Sequence, residues 1–127
     1  MKKILFALVV VLSAFNAKAQ SVSYQETPPG ATEMLPTYPG GSSALQSFVS
    51  KKLSVSRIKE NDRKSGTVTI YFMVDADGKA SEFQILNSIN ERYDELALET
   101  IKKIKRWNPG RFGTTPRVMG QKVEIRF

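Results

Sequence analysis

The fold is decided by a segment that reads GTVTIYFMVDADG, from Gly66 to Gly78. Apolar and polar residues alternate over residues 67–74, and many of them are β-branched, which predicts a half-buried β-strand. The Asp77-Gly78 pair that follows predicts a tight turn, because glycine tolerates positive φ without steric cost. Residues 80–86 form the partner strand, so this part of the chain predicts an antiparallel hairpin.

A short helix is predicted before the hairpin, over about residues 44–53. Its apolar residues recur at helical spacing and would form one buried face. Ser43 and Gln46 have the spacing of a capping box at its start.

A longer helix is predicted after the hairpin, over residues 91–107. Either Ser88 or Asn90 can cap its start, and Asn108-Pro109-Gly110 ends it. Acidic residues fill the first half and basic residues the second, which complements the helix dipole. We therefore attribute the basic cluster to helix stabilisation and not to an anion site.

The end of the chain predicts a third strand, because Val123, Ile125 and Phe127 alternate with charged residues. The element order is helix, strand, strand, helix, strand. This order predicts an α+β fold with a three-stranded antiparallel sheet and both helices on one face. The crossover helix lets the last strand pair on the far side of the first strand. The last strand would then be a sheet edge, to which an extended peptide can add.

The chain begins with features of a secretory signal peptide. Lys2-Lys3 precede a short apolar run, and Ala17-Lys18-Ala19 has the small-x-small pattern of a cleavage site. The apolar run is shorter than the roughly 20 residues that span a bilayer, although retention as a membrane anchor is the alternative. We predict a signal peptide over residues 1–19 with cleavage after Ala19, and a mature chain outside the cytoplasm.

The mature chain is predicted to contain a flexible, proline-containing leader over residues 20–40 and one domain over residues 41–127. The net charge is +7, and removal of three signal-peptide lysines lowers it by three to +4. No basic run is interleaved with aromatic residues, so nucleic-acid binding is not predicted.

The chain contains no cysteine and no histidine. This excludes Cys/His zinc sites, Ser-His-Asp triads and Cys-His nucleophiles, and it makes an enzyme an unfavourable interpretation. The Asp75-Ala76-Asp77-Gly78 run does not have the glycine position of an EF-hand loop and fits a hairpin turn better. We predict no catalytic residues, no metal and no cofactor.

Several of these residues together resemble the TonB C-terminal domain. The resemblance covers about residues 38–127 and rests on the order and spacing of its motifs. The matching segments are Gly66-Thr67-Val68, Phe72 to Gly78, Asp94-Glu95-Leu96-Ala97, Arg106-Trp107-Asn108-Pro109-Gly110 and the alternating last strand. Tyr38-Pro39-Gly40-Gly41 is similar to a lead-in of the Bacteroidetes-type branch of the family, whereas the usual Tyr-Pro pair after the first helix falls on Val55-Ser56 here.

The resemblance implies capture of an extended segment of a TonB-dependent outer-membrane transporter, or of another envelope protein, by strand addition. The implied partner-binding residues are Gly120, Gln121, Lys122, Val123, Glu124, Ile125 and Arg126. With a cleaved signal peptide the protein would be a periplasmic binding module. The alternatives are a signal-anchored transducer that couples an inner-membrane motor to these transporters, and a non-catalytic envelope structural protein. A homodimer through edge strands is a further expectation.

Overall fold

The computed structural model of the chain describes residues 21–53 and 58–127. The predicted signal peptide and the Val55-Ser56 pair lie outside these residues. The described part folds into two antiparallel sheets and two α-helices. The elements in chain order are β1 (Ser21–Tyr24), β2 (Glu33–Met34), α1 (Ser42–Lys52), a 3₁₀ turn (Glu60–Asp62), β3 (Thr67–Val74), β4 (Ala80–Asn87), α2 (Glu91–Lys102), β5 (Gly110–Phe112), β6 (Thr115–Arg117) and β7 (Met119–Arg126).

The main sheet has four strands in the order β1-β7-β3-β4. The predicted hairpin of β3 and β4 is confirmed, and β7 pairs with the far side of β3, as expected. The prediction of three strands is wrong, because β1 adds a fourth strand beside β7. The last strand is therefore an interior strand of the sheet and not its edge.

The segment before α1 is part of the fold, which corrects the prediction of a flexible leader. Its strand β1 joins the main sheet, and β2 joins a second sheet of order β2-β5-β6. The backbones of Thr37 and Asn108 exchange hydrogen bonds of 3.1 and 2.8 Å and link the end of this segment to the chain after α2. The residues of this segment are held by strands that lie far away in the sequence. Most of the segment has no helical or alternating pattern, so the sequence did not predict its structure.

The core lies between the main sheet and the two helices. Val68, Ile70 and Phe72 of β3 are fully buried. They share one core with Leu45 and Val49 of α1 and with the buried residues of α2 and β7. The apolar residues that alternate along the strands and those that recur at helical spacing therefore pack into one core.

The bounds of both helices differ from the predicted ones: α1 differs at its start, and α2 differs at its end. Helix α1 begins at Ser42 with Gly41 as its N-cap and no side-chain cap bond, so the capping box is wrong. Helix α2 begins as predicted, with the Asn90 side chain accepting from the Tyr93 amide at 3.0 Å. It ends at Lys102, five residues before the predicted end.

The early end of α2 follows from a contact with the β3–β4 turn. The Trp107 amide donates to the Gly78 carbonyl at 2.8 Å instead of continuing the helical ladder. Gly78 has a φ of 91°, and a Cβ there would lie 2.1 Å from the Trp107 carbonyl oxygen. Only glycine permits this approach, so the turn and the end of the helix depend on each other.

Among the described residues, no helix is long and apolar enough to cross a membrane.

Candidate partner-binding site

The predicted partner-binding residues all lie in β7, which pairs with β3 along its whole length and with β1 over residues 123–126. On one side Val123 lies opposite Ile70 of β3. On the other side Val123 lies opposite Tyr24 and Glu124 lies opposite Ser23, both of β1. The site that the sequence predicts as an open edge is thus occupied by the chain's own β1.

The backbone groups of β7 alternate between these two neighbours. The Lys122 carbonyl accepts from the Gln25 amide at 3.0 Å, so Lys122 faces β1. In an antiparallel ladder the amide and carbonyl of one residue point to the same side, and this side changes with each residue. Glu124 and Arg126 therefore also face β1, whereas Val123 and Ile125 face β3. These alternate groups are the ones that an added strand would use.

The side chains of β1 also alternate, and two of them enter the core. Val22 and Tyr24 are buried, while Ser23 is exposed. The Tyr24 ring meets Trp107 edge-on, with 6.1 Å between the ring centroids. Trp107 is itself only 1% exposed, so Tyr24 forms part of the cover of the tryptophan. The site therefore offers two apolar positions, at alternate residues (i and i+2) of an extended segment.

Helix α1 forms the other wall of the slot that holds β1. The Gln46 side-chain Oε1 accepts from the Val22 amide at 2.8 Å. This amide points away from β7, because Val22 lies between the residues that pair with it. Gln46 thereby satisfies a backbone donor that would otherwise lie unpaired on the outer side of the strand. The slot between β7 and α1 binds both sides of an extended backbone.

The Gln121 side chain fixes the chain as it leaves the slot. It is fully buried, its Oε1 accepts from the Gln25 amide at 3.1 Å, and its Nε2 donates to the Gln25 carbonyl at 3.0 Å and to the Pro36 carbonyl. A buried amide needs such partners, since leaving one unmade costs about 1–3 kcal/mol. Gln121 is thus a structural clamp, a role that the strand pattern does not indicate.

Strand β4, the edge strand at the opposite side of the main sheet from β1, is less suited to strand addition. Its pairing with β3 shifts register between Tyr71 and Met73, and Glu82 has a φ of 55°. Such a bulge twists a strand and interrupts its row of free amides and carbonyls. The side of β7 that β1 now occupies is therefore more regular than the outer side of β4.

The described residues contain no group of three or more side chains suited to holding a metal ion. The one clear pKa shift among them belongs to Asp75, in the β3–β4 turn. The backbone amide of Lys79 donates to this carboxylate, with a further bond from Asp77, and lowers its pKa. These bonds close the turn and lie away from the slot.

A slot between a sheet strand and a helix that holds an extended segment, through backbone donors and acceptors and two apolar positions, is typical of a protein-interaction domain. A family model described as the Gram-negative bacterial TonB protein C-terminal matches residues 56–127. The match covers more than half of the chain, so the chain belongs to this family, and the resemblance seen in the sequence is confirmed. Comparisons with curated proteins and with solved structures give no significant match.

Family membership makes this a TonB-like domain associated with envelope transport. Domains of this family are in general periplasmic, and they form a class of protein-interaction domains without enzymatic activity. The matched stretch begins after β1, β2 and α1. The segment that occupies the slot therefore precedes the part of the chain on which membership rests.

Proposed function

We propose that this protein is a periplasmic binding module that captures an extended segment of an outer-membrane transporter along β7, in exchange for its own β1. The observation that supports this proposal is the position of β1, an extended four-residue segment that already pairs with residues 123–126 of β7. A partner segment would use the backbone groups of Lys122 and Glu124 that β1 uses now.

The energetics of β1 favour exchange over permanent closure. Each buried apolar side chain contributes roughly 1.5–3 kcal/mol and each backbone hydrogen bond about 1 kcal/mol. Fixing the backbone costs about 1–2 kcal/mol per residue. For a strand of four residues, the two buried side chains contribute roughly 3–6 kcal/mol and the backbone costs roughly 4–8 kcal/mol, so the hydrogen bonds leave only a few kcal/mol in favour of docking. Such a strand opens without unfolding the rest of the domain.

The proposal includes cleavage of the signal peptide after Ala19, which would leave Gln20 as the first residue. Strand β1 would then begin at the second residue of the mature chain. A strand at a free chain end can leave the slot without moving the segment that follows it through the fold. Sequencing of the exported protein from its N-terminus distinguishes this from the signal-anchored transducer. A start at Gln20 supports the free module, whereas an intact N-terminus supports the anchored alternative.

The sharpest test locks β1 in place. Ser23 and Glu124 lie directly opposite each other, and opposite residues in an antiparallel pair have the spacing that a disulfide needs. The chain has no cysteine, so a Ser23→Cys, Glu124→Cys variant would contain one engineered pair only. We expect the oxidised variant to bind no transporter segment and the reduced variant to recover binding.

The binding partners for this test are labelled peptides from the extended N-terminal segments of the transporters of the same cell, measured by fluorescence anisotropy. A Val22→Ser, Tyr24→Ser variant, which loosens β1, should bind at least about tenfold more tightly, since about 1.4 kcal/mol of competition is removed. A Ser21→Ala, Ser23→Ala variant is the matched control. Equal binding by the oxidised and reduced forms would show that capture does not occur at β7. Absence of binding by every form would favour an envelope structural protein.

A second copy of the chain can supply the same strand. Because the bulge at Glu82 disfavours pairing through β4, we propose that any homodimer forms by exchange of β1 between two copies. Sedimentation of the oxidised and reduced disulfide variant at high concentration tests this. A dimer that persists with β1 locked in its own slot would contradict it.

A further inference from the structure

A second surface, away from the β7 slot, combines an apolar floor with a positively charged rim. A groove of about 460 Å³ lies between α1 and the chain that follows α2. Its floor includes Tyr38, Phe48 and Ile104, and the rings of Tyr38 and Phe48 pack with 6.1 Å between their centroids. The volume falls within the range of pockets that bind ligands, about 300–1,000 Å³. We name this surface the basic groove.

The rim of the basic groove carries four cations, which are Lys52, Lys103, Lys105 and Arg106. No acidic side chain is among the described residues that line it. The carboxyl-terminal ends of α1 and α2 both line the groove, and the helix dipole explains Lys52 in the last turn of α1 and Lys103 at the C-cap of α2. It does not explain Lys105 and Arg106, which follow the end of α2. The sequence interpretation of these bases as helix stabilisers is therefore incomplete.

We infer that the basic groove binds an acidic peptide segment that carries one apolar side chain between carboxylates. Clustered cations around a low-dielectric surface attract anions and accelerate their association. An apolar side chain would cover the exposed parts of Tyr38 and Phe48, while flanking carboxylates would meet the rim. Backbone hydrogen bonds are not needed, which separates this mode from strand addition at β7.

The shape of the groove favours a peptide over an anionic membrane surface. Ile104 is only 8% exposed, and Tyr38 and Phe48 are half-buried, so the apolar floor lies below its charged rim. A membrane-binding face instead presents apolar side chains that protrude into the lipid. A single side chain of a peptide can enter such a recess, whereas a bilayer cannot.

The test uses the full mature chain and the labelled peptide Glu-Asp-Glu-Phe-Asp-Glu, with binding followed by fluorescence anisotropy. The variant Lys103→Glu, Lys105→Glu should weaken binding at least about tenfold, which corresponds to roughly 0.7 kcal/mol for each reversed charge. The matched control Lys59→Glu, Lys64→Glu changes net charge equally at exposed positions outside the groove. A Phe48→Ala variant tests the floor without altering charge.

Two further comparisons test whether binding depends on the apolar side chain of the peptide and on its charge. A peptide with Ala in place of Phe should bind more weakly, and raising salt from about 0.1 M to about 1 M should reduce binding, because the Debye length falls from about 10 to about 3 Å. Equal loss in the groove variant and the matched control would overturn the proposal, as would binding that is insensitive to the Phe. Stronger dependence on these lysines for vesicles of anionic lipid than for the peptide would assign the groove to a membrane surface instead. The locked-β1 variant should bind this peptide normally, so this result is independent of capture at β7.

Discussion

The ring of Tyr24 stands at 87° to the ring of Trp107, with 6.1 Å between their centroids, and thereby joins the occupant of the slot to the core. Tyr38 contacts the same indole edge-on at 5.7 Å, and Phe72 lies 5.1 Å away. The chain contains one tryptophan. We therefore expect the fluorescence of Trp107 to respond when β1 leaves the slot.

Replacement of Tyr24 by alanine should release β1 and expose Trp107. We expect the tryptophan emission to shift to longer wavelength and its quenching by acrylamide to rise. The free energy of unfolding should fall by about 1–3 kcal/mol, since the loss cannot exceed the docking energy of one short strand. The exposed neighbour variant Ser23→Ala should leave the emission unchanged. An unshifted spectrum in Tyr24→Ala would mean that β1 remains docked without its aromatic anchor.

Proline substitutions along β7 should have opposite consequences at adjacent residues. The Val123 amide faces β3, so Val123→Pro should break the interior ladder and destabilise the domain by about 3 kcal/mol or more. The Glu124 amide faces β1, so Glu124→Pro should cost only about 1–2 kcal/mol and should abolish peptide capture. Thermal unfolding and peptide anisotropy measure the two effects. A folded Glu124→Pro variant that captures peptide normally would contradict the assignment of the binding side.

Substitution of alanine for two glycines of positive φ should distinguish two contributions to the loss of stability: the cost of the backbone conformation and the cost of a steric clash. At Gly113 a Cβ meets nothing within 4 Å, so Gly113→Ala should cost only the left-handed backbone term of about 1 kcal/mol. At Gly78 the Cβ would lie 2.1 Å from the Trp107 carbonyl oxygen. Gly78→Ala should therefore cost a further 1–3 kcal/mol, roughly that of overpacking. Chemical denaturation measures both, and equal losses would show that the turn and Trp107 separate at little cost.

The β3–β4 turn should weaken in acid, because hydrogen bonds from backbone amides lower the pKa of Asp75 in the folded state. A carboxyl with a lowered folded pKa stabilises the fold above its unfolded pKa, here near 3.8, and this contribution disappears as pH falls through the folded value. NMR titration of the Asp75 carboxyl carbon should give a midpoint below 3.8. Asp75→Asn should remove this part of the pH dependence of stability. A midpoint at or above 3.8 would refute the role of the amide bonds.

Local pattern was sufficient to predict β3, β4, α2 and β7 and the pairing of β7 with β3. These elements carry long runs with clear periods, and Asp77-Gly78 marks the turn between two of them. The end of α2 was predicted five residues late, because the partner of the Trp107 amide is a carbonyl in the hairpin turn and not a residue of the helix. The sequence named Gln121 only as a partner-binding residue, and its role as a clamp on Gln25 and Pro36 was not predicted. The contact of Gln46 with the Val22 amide was not predicted either, because in both cases the bonded residues lie far apart in the sequence.

Strand β1 did carry a signal, because Ser21 to Tyr24 alternate polar and apolar. Four residues are too few to distinguish from chance in a proline-containing segment. By itself the sequence determined the apolar faces, the hairpin and the family, because these depend on residue type and short-range spacing. Only the tertiary structure decided which strand lies at the edge and what occupies the slot. That outcome depends on the pairing of β1 with β7, whose residues lie about 100 positions apart in the chain. The pairing is made by backbone hydrogen bonds, and the pattern of side chains does not show which strands the backbone joins.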